Sequence, residues 1–364
     1  MSPAPVIAGA ACTFPSGPTL ELADAAVRAQ LSLLQRHPEY IDQAGEHCRG
    51  SFFPIDVPFD ATRWASLAGA ALEQLATSME QSLPSLVRQR PCVLWLVLPD
   101  ATIRPGMPGS LVETVVDSVQ EGQFRWERVV PYTGGHAAGI AALREAADYL
   151  SGQPEALAVV LGVESGLSRE AMLWLDMQSL LHGARHGHQT RIHPEPYGRI
   201  PGEGAAAVVL TGLVPRVAGW ATLLGTGVAE EPVTHASGGV CTGAGLTRAA
   251  RAALEQARGH GAGLVGSVTA DLNGEPYRAD QFGFTTLRIA RSLAPQWQRS
   301  LPALASGDLN AASSVAHVAL AAYIARKQPR AATQLVLASS DDPLRCAAVI
   351  GALDPVPSLQ EVRL

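Results

Sequence analysis

Charged side chains are scarce in this 364-residue chain. Asp, Glu, Lys and Arg together make up 16%, aromatics make up 5%, and the formal net charge is −6. A general binder of nucleic-acid phosphates needs a basic surplus, so that class is excluded. No apolar run reaches the ~18 residues of a membrane span. The N-terminus, "MSPAPVIAGAACTFPSG", lacks the basic segment and following apolar run of a secretory signal. The five cysteines, Cys12, Cys48, Cys92, Cys241 and Cys346, are scattered, odd in number and form no CxxC pair. That argues against a disulfide framework and a structural zinc site. Together these absences imply a soluble protein of a reducing compartment, expected to be the cytoplasm, with no nucleic-acid or membrane partner.

What is abundant is small and aliphatic. Hydrophobic residues make up 47%, and with few aromatics the core is built from Ala, Leu, Val and Gly, as suits tightly packed α/β layers. Strands are expected at Pro5–Cys12, in "PCVLWLVLPD", in "RWERVVPYT", in "EALAVVLGVES" and in "GEGAAAVVLTG". Helices are expected at Leu20–Leu34, around Trp64–Leu83 and at Ala137–Leu150, the last stopped by Gly152. Residues 37–65 read as irregular. After Pro215-Arg216 the pattern restarts: strand, helix ("LTRAARAALEQARGHG"), strand ("GLVGSVTADLNGEP"), helix ("SGDLNAASSVAHVALAAYIARK") and two closing strands. Two halves, 1–213 and 214–364, thus share an outline, a repeat of pattern rather than of letters.

Four segments carry a resemblance to a known family. "PGEGAAAVVLTG" (201–212) does not read as a phosphate-binding glycine loop, because a strand rather than a helix follows it. It resembles the GEGA strand of the thiolase superfamily, in its β-ketoacyl synthase-like branch. "HAAGIAALREAADYLSGQPEALAVVLGVES" (136–165) resembles that family's nucleophile helix and the strand behind it. "VTADLNGEP" (268–276) resembles the loop of the first catalytic histidine. "SGDLNAASS" (306–314) resembles the second, where "GH-LGAAG" is usual. The resemblance implies an α/β, thiolase-like five-layer αβαβα fold of two pseudo-repeated halves. It also implies a homodimer in which the strand near Arg128–Thr133 pairs across the two-fold axis.

The family condenses acyl groups through a cysteine at a helix N-terminus, assisted by two histidines. By the same resemblance this chain has none of the three. The cysteine position falls on His136, or on Gly135 with a one-residue gap; Asp271 and Asp308 replace the histidines, and Ala303 replaces a usual lysine. An ionised carboxylate accepts hydrogen bonds but donates none, and it opposes a developing enolate. The closing "SSDDPLRCAAVIGAL" also departs from the family's "GFGGTN" turn, which puts the oxyanion donor in doubt.

Each of these residues has a structural reading beside the functional one. His136 can simply fill the place of an acylated cysteine. Asp308 can cap the helix that follows it, and Asp271 can fix the turn 271–276 through its own backbone. Alternatively the three converge, to hold a cation or to act as a carboxylate pair in which one pKa is raised. His182, His186, His188 and His193 read as a solvated loop, and Glu203 as a structural support. No metal or cofactor is expected.

The resulting expectation is a catalytically degenerate synthase-like protein: an acyl- or ligand-binding, scaffold, adaptor or chain-length-factor-like subunit. Its partners would be a second copy, an active synthase in a heterodimer, an acyl carrier protein, or a secretion effector. The last follows from a resemblance to thiolase-like proteins associated with type VI secretion. The alternative is an active acyltransferase or thioester hydrolase using Ser165, Thr133, Ser306 or a water.

Overall fold

The computed structural model describes residues 3–82, 92–185, 194–212, 219–328 and 333–353. The first part of the chain runs β1 (Val6–Thr13), α1 (Leu20–Arg28), β2 (Gln35–Ile41), β3 (His47–Gly50), α2 (Ala61–Ser82), β4 (Cys92–Leu98), α3 (Leu111–Gln120), β5 (Trp126–Thr133), α4 (Ala138–Gly152), β6 (Leu157–Ser165), α5 (Arg169–Met177) and β7 (Glu203–Thr211). The second runs β8 (Ala221–Glu230), α6 (Ala244–Gly259), β9 (Val265–Ala270), α7 (Pro276–Arg288), β10 (Leu293–Ser300), α8 (Ala303–Ser306), α9 (Asn310–Lys327), β11 (Thr333–Ser339) and β12 (Leu344–Gly351).

The strands form two five-stranded sets with one pattern. In the first, β1 and β7 pair antiparallel, as do β7 and β6, while β6–β4 and β4–β5 are parallel. In the second, β8–β12 and β12–β11 are antiparallel, while β11–β9 and β9–β10 are parallel. A short antiparallel contact, Val6↔Thr222 and Ile7↔Ala221, joins the sets edge to edge. Strands β4, β6 and β7, largely apolar, are buried on both faces, as parallel and central strands require.

Three apolar clusters mark the spaces between layers. One joins α2 and α3 to the outer face of the first sheet. Another joins α6 and α7 to the outer face of the second. The third lies between the sheets and takes side chains from α4, α9 and strands of both. The order is therefore αβαβα. Helix α9 is buried around almost its whole circumference from Asn310 to Tyr323, which explains its Ala- and Ser-rich composition. It crosses α4 so closely that a Cβ on Gly139 would lie 2.4 Å from Val315 Cγ2.

Several local expectations are corrected. Residues 37–65 are not irregular throughout: β2 and β3 form a separate two-stranded sheet, and α2 begins at Ala61. Only two residues of β2 are buried, so its apolar signal is faint. Helix α1 stops at Arg28 rather than Leu34, because the Gln30 and Leu31 N–H groups return to the Val27 and Ala26 carbonyls in a Schellman turn. Gly152 is the last residue of α4 rather than a stop outside it. Helices α3, α5 and α7 and strand β10 are additional elements.

The Gly-Glu-Gly of 202–204 is explained by backbone crowding. A Cβ on Gly202 would lie 2.0 Å from the Ser306 carbonyl oxygen, while the Gly202 N–H donates to the Asp308 carbonyl at 3.0 Å. This contact seats the turn before α9. Gly202→Ala is expected to destabilise the fold by about 1–3 kcal/mol, the usual cost of overpacking a close contact, measured by denaturant unfolding.

Candidate functional site

Strand β5 ends at Thr133, the chain turns at Gly134-Gly135, and α4 begins. His136 lies in this turn and is wholly buried. Its Nε2 is 2.7 Å from Asp308 Oδ1, and its Nδ1 is 3.2 Å from Arg278 Nη2. A guanidinium only donates, so Nδ1 carries the lone pair and Nε2–H donates to Asp308. Gly135, the alternative position, has no side chain to contribute.

Asp308 sits between Gly307 and the start of α9. Its Oδ1 also accepts the Asn310 N–H at 3.0 Å, so it both caps the helix and binds His136. Oδ2 accepts from Asn273 at 3.1 Å and lies 3.4 Å from Arg199 Nη1. Asp271, just past β9, does not fix its own turn. Its Oδ2 instead accepts the Ser339 N–H at 2.7 Å and Arg278 Nη1 at 3.0 Å. The parallel β9–β11 pairing brings Ser339 beside it, and Asn273 serves the turn in its place, accepting the Glu275 N–H.

Arg278, in the first turn of α7, is the centre of this group and is wholly buried. Besides Asp271 and His136 it donates to Glu275 Oε2 at 2.6 Å, to Asp341 Oδ1 at 2.6 Å and to the Ser339 carbonyl. Arg199, just before the Gly-Glu-Gly turn, donates to Glu275 at 2.7 Å and to Asp341 at 3.0 Å. Tyr277 adds a hydrogen bond to Asp341 at 2.8 Å. The three sequence-derived positions therefore do converge, but on two arginines of the protein itself.

Asp308 does not show the raised carboxyl of the alternative, carboxylate-pair reading. Burial alone would raise Asp308, but the hydrogen-bonded His136 ring and then Arg199 and Arg278 outweigh it and hold it well below the usual carboxylate range. Burial opposes ionisation of Asp341 and Glu275 too, and Arg199 and Arg278 pull both below it. Backbone donors are also occupied. The Ala137 N–H donates to Ser340 Oγ at 3.0 Å, Ser339 N–H to Asp271, and Ser340 N–H to the Leu344 carbonyl at 3.1 Å. An oxyanion hole needs such donors free and aimed at the reacting oxygen.

The alternative nucleophiles are placed elsewhere or engaged. Ser165 Oγ donates to Glu203 at 2.9 Å, and Glu203 takes both Arg63 Nε and Nη2 at 2.6 Å and the Phe53 N–H. Glu203 is thus a structural anchor. Ser306 donates to the Pro302 and Gly307 carbonyls. Thr133 is exposed at the end of β5. His182 is exposed, and His186, His188 and His193 lie outside the described residues. All five thiols are free and buried. Burial pushes Cys48, Cys92 and Cys346 up to about 12 and raises Cys12 and Cys241 as well, so none is poised as a thiolate.

Two further buried groups adjoin the network. His317, seven residues into α9 from Asn310, has no partner for Nδ1; burial lowers it to about 3. Glu164, near the end of β6, forms a buried ion pair with Arg104 at 2.6 Å. Burial raises its carboxyl to about 7 despite Arg104. Sequence reasoning missed Arg199, Arg278, Glu275, Asp341, His317 and Glu164. Glu164, a charge inside an otherwise apolar strand run, is the one that left a readable signal.

The five layers and the convergence of the strand-to-helix turn with the two loops define a thiolase-like ketosynthase fold. Solved structures bear this out. The ishigamide ketosynthase/chain length factor superposes with a TM-score of 0.69 at 19% identity, covering 97% of this chain and 100% of its own. A ketosynthase in complex with its chain length factor from Xenorhabdus doucetiae gives 0.69 at 14%, covering 96% and 98%. The oxazolomycin ketosynthase domain from Streptomyces albus gives 0.74 at 14%, covering 97% and 75%. No protein-family model matches the sequence, and no curated protein is similar to it.

Removing Arg278 leaves buried carboxylates without compensation. Arg278→Met is expected to cost about 3–5 kcal/mol of unfolding free energy, read from denaturant midpoints. The pH profile separates two groups. Asp308 is depressed, so its contribution is full above pH 3.8 and lost as pH falls through its folded value. Glu164 is raised, so its contribution is present below 4.5 and lost as pH rises through about 7. Between about pH 4.5 and about pH 7 the melting temperature should therefore fall on account of Glu164, and Glu164→Gln should flatten that slope.

Proposed function

We propose that this chain is a non-condensing subunit of the ketosynthase fold, acting as a chain-length-factor-like partner rather than as a synthase. His136, Asp271 and Asp308 take the family's triad positions in this reading. The observation that carries it is the locking of His136 between Asp308 and Arg278 where an acylated cysteine would stand. An imidazole whose two nitrogens are both engaged has neither a free lone pair for attack nor a proton to give. The neighbouring carboxylates are ionised and paired, and the thiols are protonated.

The partner in this proposal is a second chain of the same fold, either another copy or an active synthase. Strand β5 supports the choice. It is an edge strand that pairs, among the described residues, with β4 alone. Val129, Val130 and Tyr132 are half-buried there, and such an edge is a template for strand addition. Pairing about a two-fold axis closes it without further growth. An acyl carrier protein or a secretion effector would then meet the assembled pair.

Incubation with acyl-thioesters and with malonyl-loaded carrier protein should leave the intact mass unchanged and release no thiol. An acyl adduct, or thioester hydrolysis above the blank, would establish the acyltransferase or hydrolase alternative instead. In the same preparation, sedimentation at micromolar concentration should give a dimer, or a heterodimer once an active synthase is added. A persistent monomer in both cases would remove the pairing.

A further inference from the structure

A cleft of about 760 Å³ opens where the ends of α1 and α9 meet β9 and β10, and none of its residues belongs to the ion network. Its volume is that of a site for a small organic molecule. Three cations line it, Arg28, Arg299 and Lys327, against one carboxylate, Asp24. Asp24 is taken by Arg28 at 2.6 Å. Lys327 lies over the Tyr323 ring at 5.3 Å, and neither it nor Arg299 has a carboxylate partner among the described residues. The site is positive in a chain whose net charge is −6, which concentrates anions there. Three exposed glutamines, Gln30, Gln298 and Gln328, add amide groups that suit hydroxyls, and Val27, Ile324 and Leu301 form an apolar side.

Helix ends account for part of this. Helices α1 and α9 both terminate here, and their carbonyl ends favour Arg28 and Lys327. Arg299 comes from a strand and serves no helix end. Gln30 points the same way. It has φ +52° in the left-handed position of the Schellman turn, where glycine is usual and any other residue is strained. Gln30 lines the cleft.

We infer that this cleft binds a phosphate ester of a small polyhydroxylated molecule, of sugar-phosphate or nucleotide size, with Arg299 and Lys327 on the phosphate and the glutamine amides on the hydroxyls. The chain contains one lysine, so reductive ¹³C-dimethylation, which preserves the charge, labels only Lys327 and the N-terminal amine. Ribose 5-phosphate is the probe. It should shift the Lys327 dimethylamine resonance saturably, while ribose and sodium chloride at matched ionic strength should not.

Arg299→Gln should weaken binding about tenfold to a hundredfold, the loss of one charge-assisted hydrogen bond. Gln30→Gly should raise the melting temperature yet weaken binding, an outcome that a purely structural Gln30 would not produce. The absence of a saturable shift at about 10 mM, well above the weak-binding range, would overturn the site, as would an equal shift with salt. Inorganic phosphate binding as tightly as ribose 5-phosphate would overturn the role given to the glutamines.

Discussion

A buried guanidinium stays charged, and the structure around Arg278 is organised by the need to pair it. Taking such an ion out of water costs several kcal/mol unless its donors are met. Arg278 meets them with the end of β9 through Asp271, with its own helix through Glu275, with the end of β11 through Ser339 and Asp341, and with the turn before α4 through His136. Four separate stretches of chain are pinned at one point between the central helix layer and the second sheet. Arg199 ties the Gly-Glu-Gly turn to the same acids.

The chemical consequence follows from the same pairing. Groups that act as acids, bases or nucleophiles need a free lone pair or proton and a pKa near the working pH. Here the paired acids are driven down, the thiols are driven up, and the histidine is held as a donor to one side and an acceptor to the other. Glu164 is raised toward neutrality, and it lies between Arg104 and the start of α9, where it also meets Asn310 and Ala311. The scaffold does not depend on this chemistry. The repeated strand order and the small-residue crossing of α4 and α9 hold whatever occupies the junction, which is how one fold carries different activities.

Much of the fold was legible in single segments. The runs that became β4, β6, β7 and β11 have apolar centres because they are buried on both faces. The repeated outline of the two halves is visible because each strand set uses the same order of connections. Segments that escaped notice are those whose burial is shared out thinly. Strand β2 buries two of seven residues, β10 carries Pro295 and lies at an edge, and α7 mixes three charged residues with few buried apolar ones. Their stability comes from neighbours rather than from their own pattern.

The candidate site divides the same way. His136, Asp271 and Asp308 could be read from the sequence, because each sits at a fixed offset from a recognisable strand or helix start. What the sequence could not supply was the partner of each group. Arg278 meets His136 across 142 residues and Asp341 across 63, and no local rule relates such positions. Whether a buried carboxylate such as Asp308 ionises depends on the positive groups beside it, and only the folded chain put His136, Arg199 and Arg278 there.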